Sequence, residues 1–269
     1  EEVVGLVEFP NVLIGSISGQ FMKLPREVLS TAMRVHQKYF SITDKANNLD
    51  SKFLFVANSV KEKHRDSVVI EGNERVLKAR LSDAVYFFEN DIANTFENWN
   101  EKLRHVLFYE SLGSVYDKTV RMANVSKVFA KAFGVKSELA EQAAILSKAD
   151  LVSEMVMEFP ELQGIMGGYY AKIKNKHEEV TKAIFEHYKP KGLSDYLPET
   201  KLGSLLSMVD KIDTLVGFFS IGKKPTGSKD PFALRRNSFS IVQILINFKI
   251  NLSLNELLEP SLKEYGCSS

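Results

Sequence analysis

The stretch VDKIDTLVGFFSIGKKPTGSKDPFALRR, from Val209 to Arg236, contains the features around which the rest of the sequence is organised. It opens with an apolar pattern of helical spacing. This pattern carries Asp210 and Asp213, which lie three residues apart and therefore share one helix face. Glycines and a proline then interrupt it. Asp230 and Pro231 are typical of an N-cap and a first helical residue, so the stretch predicts that a second helix begins there.

Cations surround the predicted start of this second helix. They are Lys223, Lys224, Lys229, Arg235 and Arg236, with a single acid among them. Backbone N–H groups at a helix N-terminus favour a bound anion, and nearby positive charge strengthens that preference. The sequence therefore predicts a phosphate-binding loop, but these residues alone do not name its partner.

The bulk composition is that of an ordinary globular protein. Lysine and arginine total 35 against 34 aspartates and glutamates, so any contact with nucleic acid must depend on local basic patches. No apolar run approaches the ~20 residues that span a membrane. The single cysteine, Cys267, cannot form an internal disulfide and favours a reducing compartment. At 269 residues the chain predicts two domains, and because it begins at Glu1 without a methionine we expect a piece of a longer protein.

The first part of the chain mixes predicted strands with predicted helices. Strands are predicted within residues 2–17, where Pro10 separates two of them, and at 39–43 and 53–58; helices are predicted at 25–35 and 75–88, the second capped by Asn73. This order predicts an α+β layer rather than a βαβ sheet. The polar, asparagine-rich link from Asn90 to Asn100 predicts the domain boundary.

Two groups in this first region could carry chemistry. His36 could act as an acid, a base or a phosphate ligand, but no nucleophile or carboxylate can be paired with it. A histidine placed at a helix C-terminus by the helix dipole is the simpler interpretation. Arg75, Lys78 and Arg80 form a basic group on the predicted 75–88 helix. They are either a solvated face or, since Arg75 and Lys78 lie one turn apart, contacts to a nucleic-acid backbone.

From Glu101 onward the pattern is helical almost throughout. The predicted helices include one capped by Ser137, one over residues 201–219 and one from Pro231 to about Phe248. The last of these is apolar on most faces over residues 241–246, which predicts deep burial.

Three aspartates interrupt apolar helix patterns in this second region: Asp150, Asp210 and Asp213. A carboxylate inside an apolar pattern is stable only beside a partner, so we expect structural, partly buried acids, each with a cation beside it. Lys118, Arg121 and Lys148 are the candidate cations, and one sequence does not pair them with particular acids.

Six long motifs, in order along the chain, resemble one known family. They are LVEFPNVLIGS (Leu6–Ser16), MRVHQKYF (Met33–Phe40), GNERVLKARLSDAVYFFE (Gly72–Glu89), LGSVYDKTVRM (Leu112–Met122), KADLVSEMVMEFPELQGIMGGYY (Lys148–Tyr170) and IGKKPTGSKDPFALRR (Ile221–Arg236). Together they resemble the central part of the beta subunit of the bacterial heterotetrameric glycyl-tRNA synthetase. The resemblance covers nearly the whole chain and thins only after about Ile250.

The resemblance implies a fold for each region. Residues 1–95 would form an α+β domain similar to the tRNA-binding, editing-like module of the phenylalanyl-tRNA synthetase beta chain. Residues 96–269 would form an all-α helical domain of the His-Asp (HD) type. Residues 145–150 and 208–212 fall where HD phosphohydrolases place their paired ligands and their final aspartate. Ala149 stands where the ligand histidine is expected and cannot coordinate a metal, so the resemblance implies no metal site and no catalytic residue here.

The resemblance also implies a function, namely tRNA binding and assembly within glycine–tRNA ligase, a cytoplasmic, ATP-dependent enzyme. The alpha subunit would carry the aminoacylation site with ATP and Mg²⁺, so no cofactor is expected in this segment. The expected partners are tRNA(Gly) and the alpha subunit, in a heterotetramer. The expected tRNA contacts are Lys223, Lys224, Lys229, Arg235 and Arg236, with Arg75 and Lys78 second. Two alternatives stay open: an HD-type metal-dependent phosphohydrolase and a purely structural interaction module.

Overall fold

The computed structural model describes residues 3–192, 194–227 and 229–267. The chain divides into two compact units. The first comprises Glu1–Ala93 with Glu154–Leu162, and the second comprises Asn94–Ser153 with Gln163–Ser269. The segment 154–162 therefore departs from the second half of the sequence to join the first unit.

Helices make up most of the described chain. In chain order they are α1 (Arg26–Thr31), α2 (Lys63–Ala93), α3 (Phe96–Leu103), α4 (Val115–Phe133), α5 (Ser137–Leu146), α6 (Glu154–Glu158), α7 (Ile165–Ile173), α8 (Glu178–Glu186), α9 (Lys201–Ser220), α10 (Leu234–Asn247) and α11 (Leu254–Glu264). A π-helical turn, Ala32–His36, continues α1, and short 3₁₀ segments lie at Gly19–Lys23, Ala149–Val152 and Pro160–Leu162. None of the helices that can be described has both the length and the apolar character that crossing a membrane requires.

The first unit contains a three-stranded antiparallel sheet. Strands β1 (Pro10–Ser16), β2 (Phe40–Thr43) and β3 (Leu49–Asn58) have the order β1-β3-β2. Side chains of β1 alternate between exposed and buried, as in a strand covered on one face only. The strands predicted at 39–43 and 53–58 are therefore confirmed, although β3 begins earlier. Sheet and helices together confirm the α+β class.

Two predictions in the first unit are wrong. The strand expected before Pro10 is missing, because the described residues 3–9 form turns and bends. The helix predicted at 75–88 is part of the much longer α2, so Asn73 is not its cap. Instead the Asn73 side chain donates to the carbonyl of Val69, 2.8 Å away, inside the helix. The early turns of α2 are largely exposed, and a solvated helix has no apolar stripe from which its start can be predicted.

Helix α9 is the central element of the second unit. It packs against α4, α5, α8, α10 and α11, and nearly all of its residues are buried. Thr200 caps its start by accepting a hydrogen bond from the Gly203 amide at 3.0 Å. Gly222 ends it in the left-handed region at φ 74°, which glycine adopts without steric cost. The helix predicted at 201–219 is thus confirmed.

The second unit also departs from the all-helical prediction. A short antiparallel hairpin, β4 (Leu107–Tyr109) with β5 (Gly113–Ser114), precedes α4. Ser137 is the first residue of α5 rather than its cap, since Lys136 precedes the helix and no side chain caps it. Helix α11 was not predicted, although Ser253 and Glu256 form the capping box that marks its start.

Deep burial of α10 is also a wrong prediction. Ile241 and Ile244 are 3% and 0% exposed, but Val242 and Ile246 are 52% and 72% exposed. One face of α10 therefore packs on the unit, while the opposite face is apolar and open. The hydrophobicity of a helix face can be read from the sequence, but what covers that face cannot.

We expect these two faces to differ in their contribution to stability. Ile244→Ala should lower the free energy of unfolding by about 2–5 kcal/mol, because it removes a fully buried side chain. Ile246→Ala, two residues along the same helix, is the matched control and should change it by less than ~0.5 kcal/mol. Urea denaturation of both variants measures the difference. Equal losses at the two positions would contradict the orientation of α10.

Candidate functional site

The predicted basic loop connects α9 to α10 in the second unit. Lys223, Lys224 and Lys229 are exposed, and none of them forms an ion pair with another described residue. Thr226 and Lys229 exchange backbone hydrogen bonds of 3.0 and 2.7 Å, which close a tight turn between the lysines. The three lysines line a shallow pocket of about 310 Å³. Their ammonium groups are therefore available to a ligand.

Aromatic packing holds this loop against α9. The ring of Phe232 stacks on Phe218 with centroids 3.9 Å apart and an interplanar angle of 17°. Tyr109, which belongs to the β4–β5 hairpin, contacts both rings. Its ring centroid is 5.1 Å from that of Phe218 and 5.6 Å from that of Phe232. Stacked and edge-on pairs of this kind add specific geometry to the burial of apolar surface. The C-terminal end of the loop is thus anchored to α9 through Phe232.

The start of α10 differs from the prediction. The helix begins at Leu234 rather than at Pro231, and the residue before it, Ala233, is left-handed at φ 54°. The Asp230 carboxylate is not an N-cap, but it accepts hydrogen bonds from the amides of Leu234 and Arg235 at 2.8 and 2.9 Å. The amides that we predicted for a phosphate are therefore occupied by the chain's own carboxylate.

The charge of Asp230 is stabilised where it lies. Burial alone would raise its pKa, but the two amide hydrogen bonds and the charges of Arg235 and Arg236 lower the pKa overall. A phosphate at this helix start would have to displace an ionised carboxylate. The amides of Leu234 and Arg235 are consequently not open to an anion, which leaves the side-chain cations of the loop as the candidate contacts.

The two predicted arginines have different surroundings. Both are exposed. Arg235 donates from Nη1 to the Gly227 carbonyl at 2.8 Å, so it also braces the loop. Arg236 lies near Lys211, where its charge contributes to lowering the pKa of that lysine.

Arg75 and Lys78 lie in the first unit, on an exposed face of α2. Arg75 is 3.7 Å from Glu71, in an exposed ion pair that partly neutralises it. Both cations border a pocket of about 430 Å³ that also contains Glu71 and Glu74. Two acids beside two cations leave the lining of this pocket with no net charge, so it attracts an anion less than the uncompensated lysines of the loop do.

Arg80 belongs to a different arrangement from its two neighbours. It forms an ion pair with Glu158 and donates to Nδ1 of His36 at 3.1 Å. A guanidinium can only donate, so Nδ1 accepts and the ring proton of His36 is on Nε2. The ring meets Phe159 edge-on at 5.3 Å. His36 thus lies in a structural contact, with its accepting nitrogen already in use.

The three predicted acids are all buried in the second unit. The carboxylate of Asp210 binds two ammonium groups, Lys118 at 2.9 Å on Oδ1 and Lys148 at 2.7 Å on Oδ2. Burial would raise the pKa of Asp210, but the charges of Lys118 and Lys148 hold it well below its ordinary value. Both oxygens of this carboxylate are therefore engaged by lysines.

Asp213 lies one turn further along α9. Arg121 approaches it in bidentate fashion, with Nε at 2.8 Å from Oδ1 and Nη2 at 3.2 Å from Oδ2. The Lys118 ammonium group is 3.3 Å from Oδ2 of Asp213, and the Tyr265 hydroxyl donates to the same oxygen at 3.1 Å. The three cations that the sequence left unpaired thus all converge on the two acids of α9.

Asp150 differs from the other two acids, because backbone amides rather than a cation bind its carboxylate directly, and the predicted cation Lys148 acts on it only through its charge. Its Oδ2 accepts from the amides of Gly164 and Gly167 at 2.6 and 2.8 Å, at the start of α7. Gly164 has φ 79°, a backbone conformation that a residue with a side chain adopts only with strain. Burial raises the pKa of Asp150 to about 6, although the amides and the charge of Lys148 oppose that shift.

Two titratable residues near this cluster were missed by the sequence reasoning. His187 is fully buried and hydrogen bonds through Nδ1 to the Ile184 carbonyl at 2.7 Å, and burial lowers its pKa well below the ordinary value. Lys211 donates to Ser207 at 2.7 Å and to the Lys189 carbonyl at 3.1 Å, and burial lowers its pKa to about 8. The only sequence signal for Lys211 is its place inside an apolar helix.

The residues around Asp210 do not fit a metal ion. Within residues 3–192, 194–227 and 229–267, no group of three or more His, Cys, Asp or Glu side chains is arranged to hold one. Ala149 is buried, and the ammonium groups of Lys118 and Lys148 already cover both oxygens of Asp210. A divalent cation there would face two positive charges and would find neither carboxylate oxygen free.

The fold is a helix-rich α+β fold, and the candidate site is an exposed loop whose three lysines have no ion-pair partner among the described residues. Residues 1–268 match the glycyl-tRNA synthetase beta subunit family, and the chain belongs to that family. It is 50% identical over 266 residues to the glycine–tRNA ligase beta subunit of Rickettsia bellii (strain OSU 85-389). The corresponding values are 49% over 269 residues for Rickettsia felis and 48% over 269 residues for Rickettsia akari.

These relatives are much longer than the matched region. The Rickettsia bellii alignment covers 99% of this chain but 39% of that protein, and the Rickettsia felis alignment covers 100% and 40%. The chain therefore spans about two fifths of the length of the curated relatives it matches.

We predict that breaking the α9 charge cluster is far more damaging than breaking a surface ion pair. Asp213→Ala should lower the free energy of unfolding by about 3–5 kcal/mol, because it leaves Arg121 and Lys118 buried with a partner missing. The control is Glu141→Ala, which removes the exposed partner of Lys127 and should cost less than ~1 kcal/mol. Urea denaturation, followed through the unfolding transition of the second unit, measures the free energy change of both variants. Similar losses would show that the cluster is not buried as described.

Asp150 predicts a characteristic pH dependence. Folded, its carboxyl keeps a proton up to about pH 6, whereas its ordinary pKa is 3.8. Between these two pH values the folded state therefore binds more protons than the unfolded state. The contribution of the protonated Asp150 carboxyl to the free energy of unfolding is complete below about pH 4 and is lost as pH rises through about 6. Asp150→Asn can still accept from both amides but has no charge to bury.

The free energy of unfolding of Asp150→Asn, relative to the parent, should therefore rise by up to ~3 kcal/mol between pH 4 and pH 7. Urea denaturation at pH 4, 5, 6 and 7 gives this difference. A difference that stays flat or falls with pH would contradict the burial of an uncompensated carboxyl at Asp150.

Proposed function

We propose that this chain is a tRNA-contacting and assembly part of glycine–tRNA ligase, and that the basic loop between α9 and α10 contacts the tRNA. Family membership supports the ligase, and the loop geometry supports the contact. The single observation that carries the contact is the group of three exposed lysines, Lys223, Lys224 and Lys229, none paired with a described acid. Uncommitted ammonium groups on an ordered loop are suited to phosphate oxygens.

The proposed contact positions the RNA and does not read its bases. Lysine ammonium groups bind phosphates as point charges, whereas base recognition requires hydrogen bonds to base edges. Arg236 extends the positive surface along α10, and Arg235 contributes charge while it braces the loop through Gly227. Arg75 and Lys78 form a second, weaker candidate contact because Glu71 and Glu74 lie beside them.

The remaining chemistry of the proposed ligase belongs to other parts of the enzyme. The alpha subunit is proposed to hold ATP, Mg²⁺ and glycine and to form the aminoacyl bond, in a heterotetramer with the beta subunit. This chain is proposed to bind tRNA(Gly) and the alpha subunit, to hold no cofactor itself and to act in the cytoplasm.

A metal-dependent phosphohydrolase of the HD type is the rival that the sequence left open. Lys118 and Lys148 on Asp210, together with Ala149, argue against it. Elemental analysis of the purified chain tests this rival directly. Stoichiometric manganese, iron or zinc would restore it, and their absence together with unchanged stability in chelator would remove it.

Charge reversal of the loop should weaken tRNA binding. Lys223→Glu, Lys224→Glu and Lys229→Glu, combined in one variant, should reduce the affinity for tRNA(Gly). The slope of log affinity against log salt concentration should also become less steep by about 2 to 3. Each phosphate contact that is lost removes the counterions whose release accompanied it. Fluorescence titration from 50 to 200 mM salt, with the chain and with the ligase that contains it, measures both quantities.

The matched control reverses three exposed lysines elsewhere in the second unit: Lys102, Lys131 and Lys136. It changes net charge by the same amount, so it separates a local contact from general electrostatic attraction. Unchanged affinity and slope for the loop variant, or equal losses in both variants, would refute the assignment of the loop as a tRNA contact.

The chain alone should neither activate glycine nor charge tRNA. This expectation follows from the proposed placement of the adenylate site in the alpha subunit. Glycine-dependent exchange of pyrophosphate into ATP and aminoacylation of tRNA(Gly) are the two assays, each run with and without added alpha subunit. Aminoacylation by the purified chain without an alpha subunit would overturn the proposed division of labour.

A further inference from the structure

An apolar groove lies on the second unit where α9, α10 and α11 meet. Its volume is about 530 Å³, and twelve of the described residues line it, none of them charged. Three of its large side chains are widely open to solvent: Phe219 at 46%, Val242 at 52% and Leu254 at 68%. Apolar side chains that are open to solvent and gathered in one groove make it a candidate interaction site.

The groove is bordered by two helical stripes. Phe239, Val242 and Ile246 are exposed at spacings of three and four residues on one face of α10, and Val242 of this stripe lines the groove. Leu254, Leu258 and Leu262 recur every fourth residue on α11 and line the groove. Residues at these spacings form ridges along a helix, and ridges on two neighbouring helices leave a seam into which a third helix packs. The groove therefore has the shape that an amphipathic helix requires.

The size of the groove limits what can occupy it. A stable interface between separate proteins engages about 20–30 residues on each side, and this groove offers twelve. A segment of the same chain needs less contact area, because covalent connection gives it an effective concentration in the millimolar range. The Rickettsia relatives are long enough to supply such a segment, since the matched region is 39% of the Rickettsia bellii protein.

We propose that an amphipathic helix of the same subunit chain, from outside the region that matches this sequence, occupies the groove in full-length members of the family. Its inward face would be leucine- or isoleucine-rich and uncharged, because the lining contains no charged side chain. This occupant also accounts for α10, whose apolar residues on both faces are typical of a helix packed on two sides. The inference is independent of tRNA binding.

Thiol labelling of an engineered cysteine tests the proposal. Val242→Cys is made in this chain, with the single native cysteine removed by Cys267→Ser. The aligned residue of the full-length Rickettsia bellii relative is changed in the same way. Asn247→Cys and its aligned counterpart provide the control, since Asn247 is exposed on α10 but does not line the groove. A charged, water-soluble thiol reagent is added, and peptide mass spectrometry follows the rate at each engineered position.

In this chain both cysteines should react at similar rates. In the full-length relative without its alpha subunit, the groove cysteine should react at least tenfold more slowly, with the control unchanged at all protein concentrations. Equal rates in the full-length relative would overturn the proposal. So would protection that appears only when the alpha subunit is added, or that grows with protein concentration, because these results identify a different occupant.

Discussion

The second unit depends on a pair of buried carboxylates on one face of α9. Asp210 and Asp213 lie on a helix that is enclosed by five others, where an unpaired charge would be very unfavourable. Lys118 and Arg121 come from α4, and Lys148 comes from the turn before the 149–152 segment. Their charged nitrogens lie 2.7 to 3.3 Å from the carboxylate oxygens of the two acids. These ion pairs join segments that lie 62 to 95 residues apart in the chain. The charges are therefore tolerable only when α4, α9 and this turn pack in one particular arrangement.

That arrangement determines how the basic loop is presented. Helix α9 leads directly into the loop through Gly222, and Phe232 returns the loop to α9 by stacking on Phe218. A helix fixed by buried ion pairs at its middle and by aromatic packing at its end holds three lysines on an ordered surface. Lysine side chains are flexible, so what this packing limits is the conformational entropy that the loop backbone would lose on binding a phosphate group. The buried cations around Asp210 and Asp213 are thus paired with acids, whereas the three lysines of the loop are exposed and unpaired among the described residues.

The parts of the structure that were predictable are those determined by neighbouring residues. Helix α9 follows from its apolar periodicity, and the burial of Asp210 and Asp213 follows from their interruption of that pattern. Their partners could not be assigned, because the pairing depends on contacts between distant segments. Asp230 shows the same limit at short range: its residue type predicted a helix start, but the left-handed Ala233 moved the helix to Leu234 and gave Asp230 the amides assigned to phosphate. The open face of α10 was unpredictable for another reason, since hydrophobicity does not reveal what covers a surface.

The central claim is that an ordered loop of unpaired lysines, on a unit stabilised by internal ion pairs instead of a metal, meets tRNA. The most direct measurement is photochemical crosslinking of tRNA(Gly) to the assembled ligase, with the crosslinked peptides mapped by mass spectrometry. The account predicts crosslinks within residues 221–236, at Lys223, Lys224 or Lys229. Crosslinks that map to other parts of the ligase, with none in this loop, would contradict it.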